Sequence, residues 1–200
     1  MTNGTRILCA ACILAAVVSA PAATQFDVSR YGAVGDGKTK NTGAFRKAIE
    51  ACTAAGGGTV VVPAGRYLVG TIIIKSNVEL HLQNGATLLC STDVEDVPLM
   101  PECRYPCLYN VRGTRAFIYA EGQSHIALTG SGTIDGQGSA WKPGPRRGTF
   151  DERPRVILFV SCKDVRVEGI RLRNSPAWMQ HYLDCDNVRV HGIDVFNHAN

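Results

Sequence analysis

The sequence predicts an all-β chain, a stack of short parallel strands in a β-helix, closed at its N-terminal end by one α-helix. Three observations carry that expectation. From Gln25 onward, short runs of alternating apolar and polar residues are punctuated by Gly, Asn and Asp, the strand-and-turn signature of an all-β protein. One segment departs from it, with Ala44, Phe45, Ala48, Ile49 and Cys52 at helical spacing. Finally, Cys162-Lys-Asp-Val-Arg-Val-Glu-Gly-Ile-Arg-Leu-Arg-Asn174 lies over Cys185-Asp-Asn-Val-Arg-Val-His-Gly-Ile-Asp-Val-Phe-Asn197 at an offset of 23 residues. A fixed period of that size indicates a solenoid, in which each unit buries its apolar side only by stacking on the next.

Before the first strand, Met1 to Arg6 carries one basic side chain, Ile7 to Val18 is nearly all apolar, and Ala20-Pro21-Ala22 supplies small residues at cleavage spacing. The pattern is that of a secretory signal peptide over residues 1–22. The remaining residues, 23–200, are then one exported domain, extracellular or periplasmic. The apolar run is shorter than the ~20 residues that cross a bilayer, and no second one follows, so no membrane partner is expected. Export leaves Cys52, Cys90, Cys103, Cys107, Cys162 and Cys185 in an oxidising compartment, where disulfides are allowed. Cys103 and Cys107 flank Arg104-Tyr105-Pro106, where a small staple is more plausible than zinc because no neighbouring His or Cys completes a ligand set.

The helix begins where Asn41 or Thr42 can cap it and stops at Gly56 to Gly58. Its place ahead of many strands suits a lid over an otherwise open stack end. Within the repeat, Val165 to Val167 and Ile170 to Leu172 form strand pairs too short for a leucine-rich repeat with its helix, so a parallel β-helix fits better. Weaker echoes occur at Asn77-Val-Glu-Leu-His-Leu82 and at His125-Ile-Ala-Leu-Thr-Gly130 before Gly132-Thr-Ile-Asp-Gly136. Between the echoes, Ser91 to Tyr109 and Gln137 to Glu152 are expected to project as loops.

Stacking also gives the matched residues plain structural uses. Cys162 and Cys185 should sit ~4.8 Å apart on neighbouring coils, near enough for a disulfide and equally suited to be buried free thiols. Asn174 and Asn197 are expected to form an asparagine ladder inside a turn. Outward positions Arg166, Glu168, Arg171, Arg189, His191 and Asp194 are polar, which points to a monomer.

A formal net charge of +4 does not resemble the concentrated basic face of a nucleic-acid binder. The basic cluster Arg146, Arg147, Arg153 and Arg155 is equally a solvated loop or an anion-binding patch. Asp184, Asp186 and Asp194 are close in sequence, but two of them flank Cys185 at a turn and the third aligns with Arg171 on an outward strand face, so they read as solvated. Asp135, in a Gly-rich turn, is expected to accept from backbone amides.

The residues Phe26-Asp-Val-Ser-Arg-Tyr-Gly-Ala-Val-Gly-Asp-Gly-Lys38, Gly56-Gly-Gly-Thr-Val-Val-Val-Pro-Ala-Gly-Arg-Tyr67, Gly132-Thr-Ile-Asp-Gly-Gln-Gly138 with Trp141, and Asn174-Ser-Pro-Ala-Trp178 together resemble the polygalacturonase-type enzymes, glycoside hydrolase family twenty-eight. The chain departs from the family pattern at Asn41, where the opening helix usually begins with Asp, and at Trp141-Lys142, where the family has paired tryptophans. The resemblance implies a right-handed single-stranded parallel β-helix of the pectin lyase-like kind. It also implies hydrolysis of α-linked galacturonic or related pectic polymers, with inversion and no cofactor.

Glycosidic bonds are cleaved between paired carboxyl groups, one protonating the leaving oxygen and one activating water or attacking the sugar. The family's Asn-x-Asp cluster, adjacent Asp pair, Gly-His-Gly and Arg-x-Lys are incomplete between Gln25 and Asn200, the nearest approach being Asn197-His-Ala-Asn200. The chain is therefore expected to be the N-terminal part of such an enzyme, cut before its catalytic coil, inactive alone and without a catalytic residue of its own. A shift of 23 places Arg155 to Phe159 one coil below Ala177 to Tyr182, so Arg155, Gln180 and His181 are the candidate substrate-binding residues, each also readable as an ordinary surface polar side chain. No metal site is expected. A pectate lyase-like enzyme would need a calcium-binding carboxylate cluster, which is missing, and a tailspike-like adhesin would favour an apolar outer face repeated on every coil.

Overall fold

The computed structural model describes residues 24–100, 114–141 and 153–198. In chain order the elements are β1 (Gln25–Asp27), β2 (Asp36–Lys40), α1 (Thr42–Ala54), β3 (Gly58–Val62), β4 (Gly65–Val69), β5 (Ile72–Ile73), β6 (Val78–Leu82), β7 (Ala86–Cys90), β8 (Ala116–Glu121), β9 (Ser124–Gly130), β10 (Thr133–Asp135), β11 (Arg155–Val160), β12 (Lys163–Glu168), β13 (Arg171–Arg173), β14 (Gln180–Leu183), β15 (Asp186–His191) and β16 (Asp194–Phe196). They assemble into three parallel sheets. The first runs β1-β3-β6-β9-β12-β15, the second β2-β4-β7-β10-β13-β16 and the third β5-β8-β11-β14. Successive strands in the chain go to different sheets, and each pairs with its counterpart one coil away, which is a parallel β-helix.

The register is the one the repeat implies. Val165 pairs with Val188 and Val167 with Val190 in the first sheet, and Leu172 pairs with Val195 in the second. Below them Val165 pairs with Ile126 and Val167 with Leu128, so like side chains form columns through the core. Ile126, Leu128, Ile134, Ile157, Phe159, Val167 and Leu172 are buried. The coil of β14 to β16 leaves Val190, Val195 and Phe196 exposed.

Corners repeat as faithfully as strands. Ser161 and Asp184, and likewise Asp164 and Asn187, adopt left-handed backbone with φ between 48° and 52°, at equivalent places in consecutive coils. Ser161 Oγ donates to Asp184 Oδ2 at 2.9 Å and Asn187 Nδ2 donates to Asp164 Oδ1. Short polar side chains tolerate this conformation better than bulky ones. At Gly130, with φ of +105°, a Cβ would lie 2.0 Å from the Leu82 carbonyl oxygen, so the corner between β9 and β10 admits only glycine.

The helix closes the stack as expected, burying Phe45, Ala48, Ile49 and Cys52, with the Phe45 and Tyr67 rings edge to face at 5.9 Å. Its start differs from the expectation. Asn41 occupies the N-cap position but makes no side-chain capping bond. Buried at 1% exposure, its Oδ1 accepts from Val34 N at 2.7 Å, and its Nδ2 donates to the carbonyls of Val34 and Thr39 at 3.0 and 2.7 Å. Thr42 turns its hydroxyl to the Gly70 amide, 2.8 Å away. Asn41 thus pins the loop between β1 and β2, and Thr42 the residue after β4, instead of serving the helix.

One further expectation is corrected. The segment 91–100 folds back over the third sheet, with Leu99 bridging Arg115 and Met100 packing on Ala116, Tyr119, Leu158 and Val160. Apolar Val97 and Met100 favour cover over projection. In the turn below, Asn174 Nδ2 donates to Asp135 Oδ1 at 3.1 Å, and the same oxygen accepts from the Gln137 amide at 2.9 Å, as its turn position suggests. Cys162 and Cys185 are free thiols. The leader expected over 1–22, the Cys103 and Cys107 staple, the basic pair Arg146 and Arg147, and most of the loop Gln137 to Glu152 lie outside the described residues.

Candidate functional site

The third sheet offers two surfaces along its outer face. Over β8 and the end of β11 it is dry, sealed by Met100, Ala116, Tyr119, Leu158 and Val160. Toward β14 it becomes polar and aromatic, and here Arg155, Trp178 and His181 meet.

Arg155 opens β11 in register with Ala116, its amide donating to the Arg115 carbonyl at 3.0 Å. Its side chain is 4% exposed, and the guanidinium carbon lies 5.2 Å from the centroid of the Trp178 ring, within cation–π range. The turn before β14 presents that ring. Ser175 is buried and its hydroxyl donates to the Ala177 carbonyl at 3.0 Å, while the Trp178 carbonyl accepts from the Val156 amide at 3.0 Å. Trp178 is left 39% exposed, a large apolar surface held in place by its own backbone.

His181 follows on β14, in register with Leu158, with its ring 4.4 Å from that of Trp178 and inclined by 58°. Burial, and then the positive charge of Arg155, hold its pKa at about 4. The imidazole is therefore neutral at neutral pH. Its Nδ1 is buried without a hydrogen-bond partner in the protein. The three side chains form one contiguous group, cation, indole and a tilted neutral imidazole, that can cover an apolar sugar face and offer polar atoms at its rim.

Gln180 is separated from this group. It pairs with the buried Ile157, its Oε1 accepts from the Tyr182 hydroxyl at 2.7 Å, and Tyr182 packs on the core beside Phe159 at 5.9 Å. Strand alternation thus puts Gln180 on the core side of β14 and His181 on the outer side. A one-coil shift predicts which residues lie over one another but does not by itself fix the face. Trp178 was legible only as part of the Asn174-Ser-Pro-Ala-Trp178 motif, and its site position follows from the same shift.

The three aspartates form no cluster. Asp184 turns the corner after β14 with Ser161, Asp186 opens β15 with Lys163 at 3.8 Å, and Asp194 opens β16 against Arg173 at 2.6 Å. Among the described residues no group of three or more His, Cys, Asp or Glu could hold a metal ion. On the first sheet a shallow groove of about 600 Å³ runs past Glu79, His125, Asp164, Arg166 and Asn187. Within it Arg166 pairs with Glu79 and Glu168, and the His125 ring lies 3.4 Å from Asp164.

The family model of Glycosyl hydrolases family 28 matches residues 52–200. The "Probable polygalacturonase" of Vitis vinifera is 32% identical over 173 residues, which are 82% of this chain and 35% of that protein. The exo-poly-alpha-D-galacturonosidase of Dickeya chrysanthemi is 37% identical over 158 residues, 76% of this chain and 26% of that protein. In three dimensions the family 28 exopolygalacturonase of Yersinia enterocolitica superposes with a TM-score of 0.75 at 26% identity, over 88% of this chain and 39% of that one. The chain spans about a third of the length of the curated relatives it matches.

Proposed function

The chain belongs to Glycosyl hydrolases family 28, and on that premise we propose that it forms part of a polygalacturonase-like enzyme, with the outer face of the third sheet at β11 and β14 as its polysaccharide groove. The observation that carries this reading is the group of Arg155, Trp178 and His181. An exposed indole face suits the apolar face of a pyranose ring. An arginine beneath it adds a fixed positive charge attractive to a uronate carboxylate. A neutral imidazole can donate to or accept from sugar hydroxyls.

The substrate we propose is an α-1,4-linked galacturonan or a related pectic polymer, cleaved with inversion by two carboxyl groups. Asp184, Asp186 and Asp194 are not that pair, since each serves a different corner or sheet. We place the pair outside the described residues, so that the chain by itself binds sugar without cleaving it. Residues 1–22 act as a cleaved leader that exports the protein, which works as a monomer without a cofactor. No helix among the described residues is long and apolar enough to cross a membrane.

The test is to titrate purified protein with trigalacturonate by calorimetry and to assay polygalacturonate for new reducing ends and for ultraviolet-absorbing unsaturated ends. Binding that Trp178→Ala weakens, with neither product formed, supports the reading. Reducing ends would return the three aspartates to candidacy, unsaturated ends would favour a lyase, and absence of binding would remove the groove assignment.

A further inference from the structure

Cys162 and Cys185 occupy equivalent places one coil apart, immediately before the paired residues Lys163 and Asp186. The Asp186 amide donates to the Cys162 carbonyl at 2.9 Å, which locks the two backbones together at that point. Parallel neighbours in register have Cα atoms ~4.8 Å apart, inside the 4.4–6.8 Å window of disulfides. Both thiols are free, Cys162 buried and Cys185 partly accessible. Cys185 Sγ lies 3.4 Å from the Leu183 carbonyl and 3.5 Å from that of Phe159, one coil below, so it leans toward the coil that carries Cys162. Cys162 Sγ donates to the Val160 carbonyl at 3.2 Å.

We propose that Cys162 and Cys185 are a dithiol modification site, oxidised by small-molecule disulfides to a covalent bond that staples consecutive coils of the β-helix. In the first step the more accessible Cys185 attacks the oxidant RSSR as thiolate, forming a Cys185–S–S–R mixed disulfide and releasing RS⁻, which takes up the thiol proton. In the second, the Cys162 thiolate attacks the Cys185 sulfur, closing the Cys162–Cys185 bond and expelling the other RS⁻, protonated in turn. Two protein thiols are oxidised, one RSSR is reduced, and two RSH leave.

Accessibility sets this order, since Cys185 is partly exposed and Cys162 is buried. In the reduced pair, hydrogen bonding from Cys185 holds Cys162 below the usual thiol range; that donor is gone once Cys185 carries the RS group, and Cys162 then resolves the mixed disulfide through its fixed position one coil away. The same contact and burial push Cys185 up, so the first step is the slow one and accelerates with pH. The other described thiols make internal controls. Cys52 and Cys90 are buried, burial pushes both up, and Cys90 is paired in register with Val69.

The experiment treats the folded chain with excess oxidised glutathione, removes the oxidant, unfolds the chain in guanidinium with iodoacetamide to block the remaining thiols, digests with trypsin and reads the peptides by mass spectrometry. The expected product is peptide 156–163, which holds Cys162, joined to peptide 174–189, which holds Cys185, released by reductant, with Cys52 and Cys90 alkylated. Oxidation should also raise the Tm of the chain, and Cys185→Ala should abolish both effects while its β-sheet circular dichroism is retained. If that variant does not fold, the native chain still decides: both peptides recovered as alkylated monomers, or Cys185 recovered only as its glutathione adduct, would overturn the proposal.

Discussion

The buried guanidinium of Arg155 lies beneath the half-exposed indole of Trp178, 5.2 Å from the ring centroid. Each residue conditions the other, because the ring shields the charge from water and the charge fixes the ring. Replacing Trp178 by Ala removes both the sugar platform and the shield. A sugar ring covering roughly 40–80 Å² of the indole at ~25 cal/mol per Å² contributes ~1–2 kcal/mol, so a loss of trigalacturonate affinity of roughly fivefold to thirtyfold is expected, measured by calorimetry, with Trp178→Phe keeping most of it.

The acid sensitivity of the fold should bear the mark of His181. Its pKa is lowered from 6.5 to about 4 by burial and by Arg155, so between those values the unfolded chain binds the proton and the folded chain does not. Stability from this group is therefore complete above about pH 6.5 and is lost as pH falls toward 4. His181→Gln should flatten that part of the Tm profile, and thermal melts of the two proteins at several pH values across the window check it.

Asn41 should resist replacement by the similar Asp. The carboxylate could still accept from Val34 N, but the two donations to the Val34 and Thr39 carbonyls would become contacts between oxygens in a site only 1% exposed. Leaving buried groups unsatisfied costs ~1–3 kcal/mol, more for a charge. Denaturant unfolding should place Asn41→Asp below Asn41→Ala in stability.

Gly70 has ordinary backbone, yet a Cβ there would lie 2.1 Å from the Asp96 carbonyl oxygen, the acceptor of the Thr71 amide at 3.0 Å. Gly70→Ala must push the segment 91–100 off the stack. The ion pair of Lys40 with Asp96, 2.8 Å long, should then loosen, and faster limited proteolysis within this segment, with the core strands unchanged, is the expected readout.

How much of this was legible beforehand follows coil by coil. Val165 over Ile126 and under Val188 could be foreseen for the upper pair, because those two coils have equal length and keep a constant period. The lower pair is blurred, since the loop between β10 and β11 interrupts the text before its partner strand arrives. The closeness of Arg155 and His181 could be foreseen because both lie inside the regular part. Gln180 was grouped with them because a period locates a residue along the stack, whereas strand alternation decides which way it faces. The role of Asn41 was hidden because its partner Val34 stands in a loop with no periodicity.

Because each strand in the body of the stack pairs with counterparts one coil away, the chain has an unusual response to tension. A pull applied through the chain end peels the terminal coil first, and the next coil is peeled only after it has parted. In a force spectrometer the segment from β11 to β16 should lengthen in steps of one coil, 23 residues as in the Ser161 to Asp184 contact, or roughly 8 nm of extended chain per step.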